Sequence, residues 1–523
     1  MSWRILTSSG ATLTEKLIDA SNLNDEQVQD LSDSSSELRT SKCDAVLRAA
    51  DRIRRAQANH EHVFVAGDYD ADGITSTAIM KDVLDRLGIQ NGYYIPDRFK
   101  EGYGLSVKTV NAALQKGYTL FITVDNGVKC QDAIDAVHAA GKEIIVTDHH
   151  TIEEAVPADL LVHPDVMEEE FRFLSGAGVA LEISRALLGE VPLHTALAAV
   201  ALIGDVMPVW RENRRIIRNG LSVIREGKVP ALWGMLRQPE QADETAIAFQ
   251  VVPKLNSPGR MNDRSNVNTL VPVLLCRDKR AIESYLSSLN EINEARKKLS
   301  EETVRIAEQK AEDVLFPVIC DDGFHEGVVG PAAGNLSRKW HKPVLILAKN
   351  GTLYKGSGRG IPGMNLYEFF SDFAELEAFG GHAQAVGLSV AEEHIEGFIA
   401  HVEEKMKKLE TVFEEPGEPA VLVQPEDLTI RSVEALESLK PYPKELITRI
   451  ALEHPVLLWT DSYPRVTKYR FESPWGGYEG VQFGAGNASG KEAIPWLIGV
   501  PSLNRFRNNV SVQVMIDAFD TED

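Results

Sequence analysis

The chain has 523 residues, of which 43% are hydrophobic and 25% are charged, a composition typical of a globular protein with more than one domain. Its formal net charge of −22 at pH 7 excludes a protein that coats nucleic acid by bulk attraction, because Lys and Arg drive phosphate binding. Any nucleic-acid site must therefore be a local basic groove. The four cysteines are widely spaced, and the sequence contains no signal-peptide pattern and no long apolar run. We therefore expect a soluble, cytoplasmic protein that has no membrane partner.

Residues 63 to 162 alternate between strand patterns and helix patterns. The short apolar runs VFVA, YTLFITV and KEIIV are typical of buried strands, and the segments between them have helical periodicity. This alternation predicts a parallel, doubly wound α/β sheet.

Acidic and imidazole side chains follow each of these three strands. Ligands of such sheets bind at the carboxyl ends of the strands, so we expect the side chains to converge there. A further acid lies in the later segment ALIGDVMPV. The residues concerned are Asp68, Asp70 and Asp72, then Asp125, then Asp148, His149 and His150, and finally Asp205.

Carboxylates and imidazoles in this combination suit Mn²⁺. Two divalent cations about 3.5–4 Å apart need several anionic ligands, and such a pair supports phosphoester hydrolysis. Each motif also has a structural interpretation: acids after a strand often cap the next helix, and two adjacent histidines can simply pack. Period-2 spacing in an extended segment would point Asp68, Asp70 and Asp72 the same way, but the turn into the following helix should splay them. We therefore predict that Asp70 and Asp72 bind different metals, with Asp68 supporting them.

The rest of the chain predicts three further regions. The segment 285–312 has the pattern of one long connecting helix, and a second α/β pattern covers 313–412. The Pro-rich, acidic stretch FEEPGEPA, residues 413–420, is typical of a linker. Strand-like pieces in 421–523 predict a small β-barrel.

Several motifs resemble those of one enzyme family. The set GDYDADG, VDNG, TDHH and GDVMP resembles the DHH phosphoesterase superfamily. The later pieces LNSPGRM, HEGVVG, GSGR and GGHAQAVGLS are similar to those of the RecJ single-stranded-DNA-specific exonucleases. This resemblance implies a DHH domain with an N-terminal extension (1–284), the connecting helix, a DHH-associated domain (313–412) and an OB-fold-like nucleic-acid-binding domain (421–523).

The resemblance also implies roles for individual residues. It places metal ligands at Asp70, Asp72, Asp125, His149 and Asp205. It implies a catalytic set of His149, His150, Asp125 and Asp68. It assigns substrate binding to Arg98, Arg260, Ser357, Arg359, Gly381 and His382, with Arg98, Ser357 and Arg359 forming a pocket for a 5′-phosphate.

Two positions depart from the family pattern. Ala66 stands where many DHH proteins have a histidine, which leaves one metal with one fewer candidate ligand. The fourth motif reads GDVMPVWREN instead of the more usual ADVVPL, so it keeps Asp205 but changes its surroundings.

The pocket for phosphate also has a physical basis without the family. Guanidinium groups bind phosphate bidentately, and a serine between glycines lets backbone N–H groups approach the same oxygens. A surface charge at Arg98 and a plain glycine turn around Ser357 and Arg359 are the structural alternatives.

Basic and aromatic residues cluster in the C-terminal region. Such clusters are typical of single-strand binding, whereas aromatic residues that alternate along a strand also occur in a core. We leave both interpretations open. For Trp475 the two open interpretations are an exposed stacking residue and a residue that fills a turn. The clusters are Arg465, Lys468, Tyr469, Arg470 and Phe471, and then Arg505, Phe506 and Arg507.

The leading hypothesis is a 5′-to-3′ exonuclease that hydrolyses single-stranded DNA in repair and recombination. It implies two ions of Mn²⁺ or Mg²⁺, a monomer, and a single-strand-binding protein and a helicase as candidate partners. One alternative is a DHH phosphodiesterase of short oligonucleotides or cyclic dinucleotides. Another is a non-catalytic replication scaffold, whose signature would be the loss of metal ligands.

Overall fold

The computed structural model divides into two compact units. The larger unit comprises residues 36–207 and 211–413, and the smaller one comprises residues 1–35, 208–210 and 414–523. The residues whose structure is described are 3–311, 313–409, 417–483, 494–507 and 509–519.

The smaller unit begins with one strand and two short helices, β1 (Trp3–Leu6), α1 (Leu13–Ala20) and α2 (Asp25–Ser32). Thr12 caps α1 and Asn24 caps α2, each through a reciprocal capping box, which satisfies backbone donors that the first turn of a helix leaves free.

A five-stranded, entirely parallel sheet forms the first part of the larger unit, as predicted. Strands β2 and β4 are buried along their whole length, which explains their uninterrupted apolar sequences. The strands are β2 (Val63–Ala66), β3 (Asn91–Tyr94), β4 (Leu120–Val124), β5 (Glu143–Thr147) and β6 (Leu160–Val162), and the helices are α3 (Asp44–Ala58), α4 (Ala71–Arg86), α5 (Val107–Gln115) and α6 (Gln131–Ala139).

The strand order in this sheet is β3-β2-β4-β5-β6. The chain passes from β2 to β3 on one side and returns to β4 on the other, so the direction of winding reverses between β2 and β4. In open α/β sheets the loops diverge at such a point and leave a crevice for ligands. The aspartates after β2 and β4 lie at this crevice.

A largely helical segment follows the sheet, and its last helix is the predicted long one. That helix extends from Lys279 to Lys310, so it begins six residues before the predicted position 285. The segment contains α7 (Gly176–Leu188), α8 (Pro192–Gly204), α9 (Glu212–Arg225), α10 (Pro230–Met235), α11 (Glu244–Ala246), a π-helical turn (Ile247–Val251), α12 (Val252–Arg260), α13 (Leu270–Leu275) and α14 (Lys279–Lys310).

A second α/β region completes the larger unit, again as predicted. Its five strands have the order β10-β11-β9-β8-β7, with β7 and β8 parallel and the other pairs antiparallel. The elements are β7 (Val318–Asp321), α15 (Glu326–Trp340), β8 (Val344–Asn350), β9 (Leu353–Arg359), α16 (Leu366–Phe370), β10 (Leu376–His382), β11 (Ala385–Ala391) and α17 (Ile395–Lys408).

The smaller unit is β-rich and OB-like, in agreement with the expected fold class. Its eight strands have the order β1-β12-β13-β17-β18-β16-β15-β14. Besides β1, the elements are β12 (Glu418–Leu422), α18 (Ile430–Glu437), β13 (Ile450–Glu453), β14 (Leu457–Tyr463), β15 (Val466–Phe471), β16 (Tyr478–Phe483), β17 (Trp496–Phe506) and β18 (Asn509–Ala518).

The N-terminal residues belong structurally to this smaller unit. Strand β1 pairs in parallel with β12, and Trp3 lies opposite Glu418, whereas the sequence-based division counted residues 1–284 as one domain. Of the predicted linker, residues 413–416 lie outside the described residues, and β12 begins within the remainder.

The aromatic residues of β15 lie in the core of this unit. Tyr469 and Phe471 are fully buried, while Trp475 is 66% exposed. Arg505 is ion-paired with Glu437 at 2.9 Å. The core interpretation is therefore correct for Tyr469 and Phe471, and DNA contact by the basic residues of this region stays a prediction.

None of the helices in the described ranges is long and apolar enough to span a bilayer.

Candidate metal centre and anion pocket

The three aspartates after β2 are separated by a tight turn into α4. The Asp70 carboxylate caps this helix, since its Oδ1 accepts hydrogen bonds of 3.1 Å from the N–H groups of Asp72 and Gly73. A Cβ atom at Gly73 would lie 2.4 Å from the carbonyl oxygen of Asp68, so only glycine permits this approach. The turn directs Asp68, Asp70 and Asp72 to different parts of the crevice.

Asp72 is held by the N-terminus of α7. Its Oδ2 accepts a 2.7 Å hydrogen bond from the N–H of Gly176, and its Oδ1 accepts bonds from the N–H of Ala177 at 2.7 Å and the hydroxyl of Ser175 at 3.1 Å. Backbone N–H groups and the positive end of a helix stabilise a carboxylate. They fix the orientation of Asp72 in a buried position.

His149 lies at the centre of the acidic residues. Its Nε2 is 3.2 Å from Asp125 Oδ1, 3.3 Å from Asp205 Oδ2 and 3.5 Å from Asp72 Oδ2. The candidate metal-donor atoms form three overlapping groups, and within each group all donor atoms lie within 4.8 Å of one another. Asp70 and Asp72 belong to different groups. These groups are Asp125, His149 and His150; Asp72, His149 and Asp205; and Asp68, Asp70 and Asp125.

Several of these donor atoms have no hydrogen-bond partner within the described ranges. They are Asp68 Oδ1, Asp125 Oδ1 and His149 Nε2, and all three are buried. An unpaired polar atom in a protein interior is costly. Lone pairs that converge without donors match the coordination demand of a divalent cation, so the residues fit a metal pair even though Ala66 supplies no ligand.

The pKa values in this region follow from the same crowding. Burial, followed by the charge of Asp72, raises the pKa of Asp125 well above its ordinary value. Burial and Asp72 likewise raise the pKa of Asp205 to about 8, and burial lowers the pKa of His149. Removal from water and mutual repulsion both disfavour the charged carboxylates, and bound cations would relieve both effects.

His150 is oriented by two neighbours. Its Nδ1 donates to Asp148 Oδ1 at 2.8 Å and lies 3.1 Å from the hydroxyl of Tyr103. The same Asp148 oxygen accepts from the backbone N–H groups of His149 and His150, and the other oxygen accepts from Val128 N–H at 3.0 Å. Asp148 therefore supports the histidine pair from behind, a role that the sequence did not assign to it.

Four arginines gather beside the metal centre. The guanidinium of Arg98 lies 5.0 Å from the ring centroid of Tyr69, a residue between Asp68 and Asp70. Burial and repulsion from Arg98, Arg296 and Arg359 lower the pKa of Arg260 to about 10. Among the residues described, no carboxylate lies within ion-pair distance of any of these four arginines.

The predicted pocket for phosphate is part of this arginine group. Arg359 Nη1 donates to Ser357 Oγ at 2.7 Å, and a Cβ atom at Gly330 would lie 3.2 Å from Arg359 Nη2 and 3.4 Å from Ser357 Oγ. The structure thus brings together Arg98, Arg260, Ser357 and Arg359. Arg296, on α14, is a fourth guanidinium that the sequence did not indicate.

Gly381 and His382 belong to the last residues of β10. Both are exposed at the end of β10, and Gly381 has a φ of 142°. The pKa of Glu153 is lowered mainly by Lys129 and, to a smaller extent, by the charge of His382. The end of β10 is therefore near Glu153, which lies in the loop that follows His150. Their predicted contact with substrate stays a prediction.

The fold and the site together are those of the DHH class of phosphoesterases. Residues 62–204 match the DHH family, N-terminal domain, and residues 312–408 match the DHHA1 domain. The RecJ protein of Dickeya dadantii is 33% identical over 443 residues, covering 76% of each chain. The chain belongs to the RecJ family.

Other comparisons agree with this assignment. The RecJ of Bacillus subtilis is 31% identical over 90% of this chain, which spans 62% of that longer protein. The structure of RecJ from Thermus thermophilus, in complex with Mn²⁺, has the same fold, with a TM-score of 0.81, 24% identity and coverage of 99% of this chain and 79% of that one. A structure of exonuclease RecJ bound to manganese has a TM-score of 0.64 and 29% identity over 71% of this chain and 97% of that chain.

Proposed function

We propose that the chain is a divalent-metal-dependent exonuclease that hydrolyses single-stranded DNA from its 5′ end, in repair and recombination. The observation that carries this proposal is the direct adjacency of an acidic, histidine-containing cluster and a pocket of unpaired arginines, joined at Tyr69. The first cluster suits cations and the second suits phosphate. Relatives named as single-stranded-DNA-specific exonucleases support the choice of substrate.

The acidic cluster offers ligands for two ions of Mn²⁺ or Mg²⁺. Asp72, His149 and Asp205 would hold one, and Asp68 and Asp70 the other. Asp125 is grouped with Asp68 and Asp70 and also with His149 and His150. Bound there, such ions supply an activated water and charge stabilisation for the leaving oxygen. The chain itself keeps these ligands rigid through α7 and holds the imidazole of His150 in place through Asp148.

The arginine pocket would bind a terminal 5′-phosphate. Arg98, Ser357 and Arg359 can surround its oxygens, while Arg260 contacts the next backbone phosphate. Guanidinium groups that lack a carboxylate partner are available for charge-assisted hydrogen bonds. A phosphate fixed in this pocket would place the first internucleotide linkage beside the acidic cluster, which gives 5′-to-3′ polarity without reading of the bases.

A substrate comparison tests this polarity. Truncation of Arg359 to Ala removes hydrogen bonds to a charged group worth roughly 1.5–3 kcal/mol, so we expect a loss of about ten- to hundredfold in kcat/KM on 5′-phosphorylated strands. The loss should be much smaller on 5′-hydroxyl strands, which never make the contact. Steady-state hydrolysis of both substrates measures the difference.

Arg338→Ala is a matched control, because Arg338 is an exposed arginine of α15 in the same region. It should leave both rates unchanged. Equal losses for Arg359→Ala on the two substrates, or release of nucleotides from the 3′ end, would contradict the assignment of the pocket. We also propose that the chain acts as a monomer in the cytoplasm, and that a single-strand-binding protein or a helicase delivers its substrate.

A further inference from the structure

A large aromatic side chain projects from the π-helical turn before α12. Phe249 is 77% exposed, whereas its neighbours Ile247 and Val251 in the same turn are fully buried. The buried pair anchors the turn, so the exposure of Phe249 is a fixed feature of the surface. A single exposed hydrophobic side chain is common on protein surfaces, so the meaning of Phe249 depends on the residues around it.

The π-helical turn and the start of α12 lie against the Asp205 side of the metal centre. A Cβ atom at Gly204 would lie 3.3 Å from Cγ2 of Val252, which shows that α12 begins directly beside the end of α8. Asp205 is the next residue after Gly204. Val206 then adopts a φ of 54° and is 81% exposed, a conformation that is rare for a β-branched residue.

Cationic side chains surround the same turn. The N–H of Arg237 donates to Gln250 Oε1 at 2.9 Å, so Arg237 is adjacent to the turn, and its side chain is exposed. Lys254 donates to the carbonyl oxygen of Met235 at 2.7 Å. Burial, then the charges of Lys297 and Arg237, lower the pKa of Lys254. In the part of the chain that the structure describes, neither Arg237 nor Lys254 is ion-paired with a carboxylate.

Helix α12 connects this surface to the arginine pocket. Lys254 lies in its first turn and Arg260 is its last residue. The nine residues of the helix rise about 13 Å. The helix begins beside Asp205 and ends beside Tyr69, because a Cβ atom at Gly259 would lie 2.8 Å from the Tyr69 carbonyl oxygen. Within the described residues, cations that lack a carboxylate partner therefore lie at both ends of α12, one group near Asp205 and the other near Tyr69.

We infer that Phe249, Arg237 and Lys254 form a second contact surface for the DNA strand, on the side of the metal centre opposite the arginine pocket. The inference rests on the proposed function. A strand whose 5′ end lies in the arginine pocket continues past the metal ligands and meets this surface with its following nucleotides. Phe249 stacks on a base there, and the cations contact the neighbouring phosphates.

The local charge of this surface favours DNA over a protein as the occupant. The chain carries a net charge of −22, yet here cations adjoin an exposed aromatic ring without carboxylate partners. This combination is typical of single-strand contact surfaces, where stacking is tolerant of sequence and the cations follow the backbone. The surface is also continuous, through α12, with the pocket proposed to bind phosphate.

Binding of intact and abasic strands tests the stacking contact. We would measure dissociation constants by fluorescence anisotropy in EDTA, which prevents hydrolysis, with oligothymidylate labelled at its 3′ end. Phe249→Ala should weaken binding about tenfold, and Phe249→Trp should restore it. On a strand with consecutive abasic sites near the 5′ end, wild type should bind weakly, and Phe249→Ala should cause no further loss.

Leu315→Ala is the matched control, because Leu315 is an exposed apolar residue of the same unit, 55% accessible, and it should leave both constants unchanged. Arg237→Gln tests the cationic part: the slope of log K against log salt should fall by about 0.7, the value for one phosphate contact on a single strand. A charge that contacts no phosphate would leave the slope unchanged.

Equal losses for Phe249→Ala on intact and abasic strands, or unchanged binding of both, would overturn the inference. Failure of the proposed function would look different. In that case wild type, supplied with Mn²⁺, would release no mononucleotides from single strands, whatever the binding data show. An active wild type with no base-dependent effect at Phe249 would refute only the second contact surface.

Discussion

Two clusters of opposite charge lie side by side in the larger unit and respond to burial in opposite directions. At the end of the first sheet, burial and repulsion raise the pKa values of Asp125 and Asp205. In the adjoining pocket, burial and repulsion lower the pKa of Arg260 to about 10. Each cluster concentrates like charges that the fold alone leaves uncompensated.

Each of the two clusters requires a ligand of opposite charge. The acids could have been neutralised by the arginines, yet the two clusters remain unpaired although Arg98 stacks on Tyr69, next to Asp68. Separate compensation calls for a cation on one side and an anion on the other. A phosphodiester with divalent metals supplies both, so the separation of charges is itself a signature of phosphoester chemistry.

The largest expected effect breaks the acidic cluster. Asp125 shares donor groups with His149 and His150 on one side and with Asp68 and Asp70 on the other. Its replacement by Ala removes the carboxylate common to both, so we expect hydrolysis of single-stranded DNA to fall at least a thousandfold with the fold intact. Nucleotide release with Mn²⁺ measures this, and circular dichroism checks the fold.

Asp132→Ala is a suitable control, because Asp132 is an exposed aspartate of α6 in the same domain. It should retain the wild-type rate. A metal-titrated Asp125→Ala protein that also retains a near-normal rate would show that the acidic cluster does not hold the catalytic metals.

A smaller effect is expected at Asp148, because this carboxylate orients His150 but is not one of the candidate metal ligands. Both oxygens of Asp148 accept N–H groups. In Asp148→Asn one oxygen becomes an NH₂ group that faces an N–H donor, so the orientation of His150 is lost. Residues that orient ligands typically cost about 10–100-fold when mutated.

The rate and the Mn²⁺ concentration for half-maximal activity should be measured together for Asp148→Asn. We expect a lower maximal rate for this variant on 5′-phosphorylated and 5′-hydroxyl strands alike. A loss confined to 5′-phosphorylated strands would instead connect Asp148 to the arginine pocket and contradict its role behind the histidines.

The sequence predicted the acidic cluster better than its supports. Strands of a parallel sheet end at one edge, so side chains placed directly after VFVA, YTLFITV and KEIIV had to meet. Ser175, Gly176 and Ala177 hold Asp72 from about a hundred residues away, and no local pattern marks such a contact. Arg296 was hidden for a similar reason, because its alternating-charge helix is typical of a solvated surface.

The smaller unit illustrates a second limit of sequence reasoning. Pairing of β1 with β12 joins Trp3 to Glu418, and a four-residue strand carries no information about so distant a partner. The alternation of Tyr469 and Phe471 fitted both a core and a binding surface, since period 2 fixes only that two side chains share a face. Burial in the folded unit decided between the two.

The smallest effect expected concerns stability and follows from the uncompensated acids. Since the pKa of Asp125 is higher in the folded chain than in the unfolded one, its ionised form at neutral pH weakens the fold, and this cost disappears as the pH falls. Asp125→Asn removes the charge and should raise the melting temperature by a few degrees in EDTA. Mn²⁺ should stabilise wild type, by about 2.7 kcal/mol for one site at 100 times its Kd, and should stabilise Asp125→Asn much less.

Asp132→Asn should resemble wild type in both conditions. Differential scanning fluorimetry of the three proteins measures these shifts. A lower melting temperature for Asp125→Asn in EDTA would mean that the acidic cluster is compensated within the protein, and the contrast with the arginine pocket would then no longer indicate a bound cation.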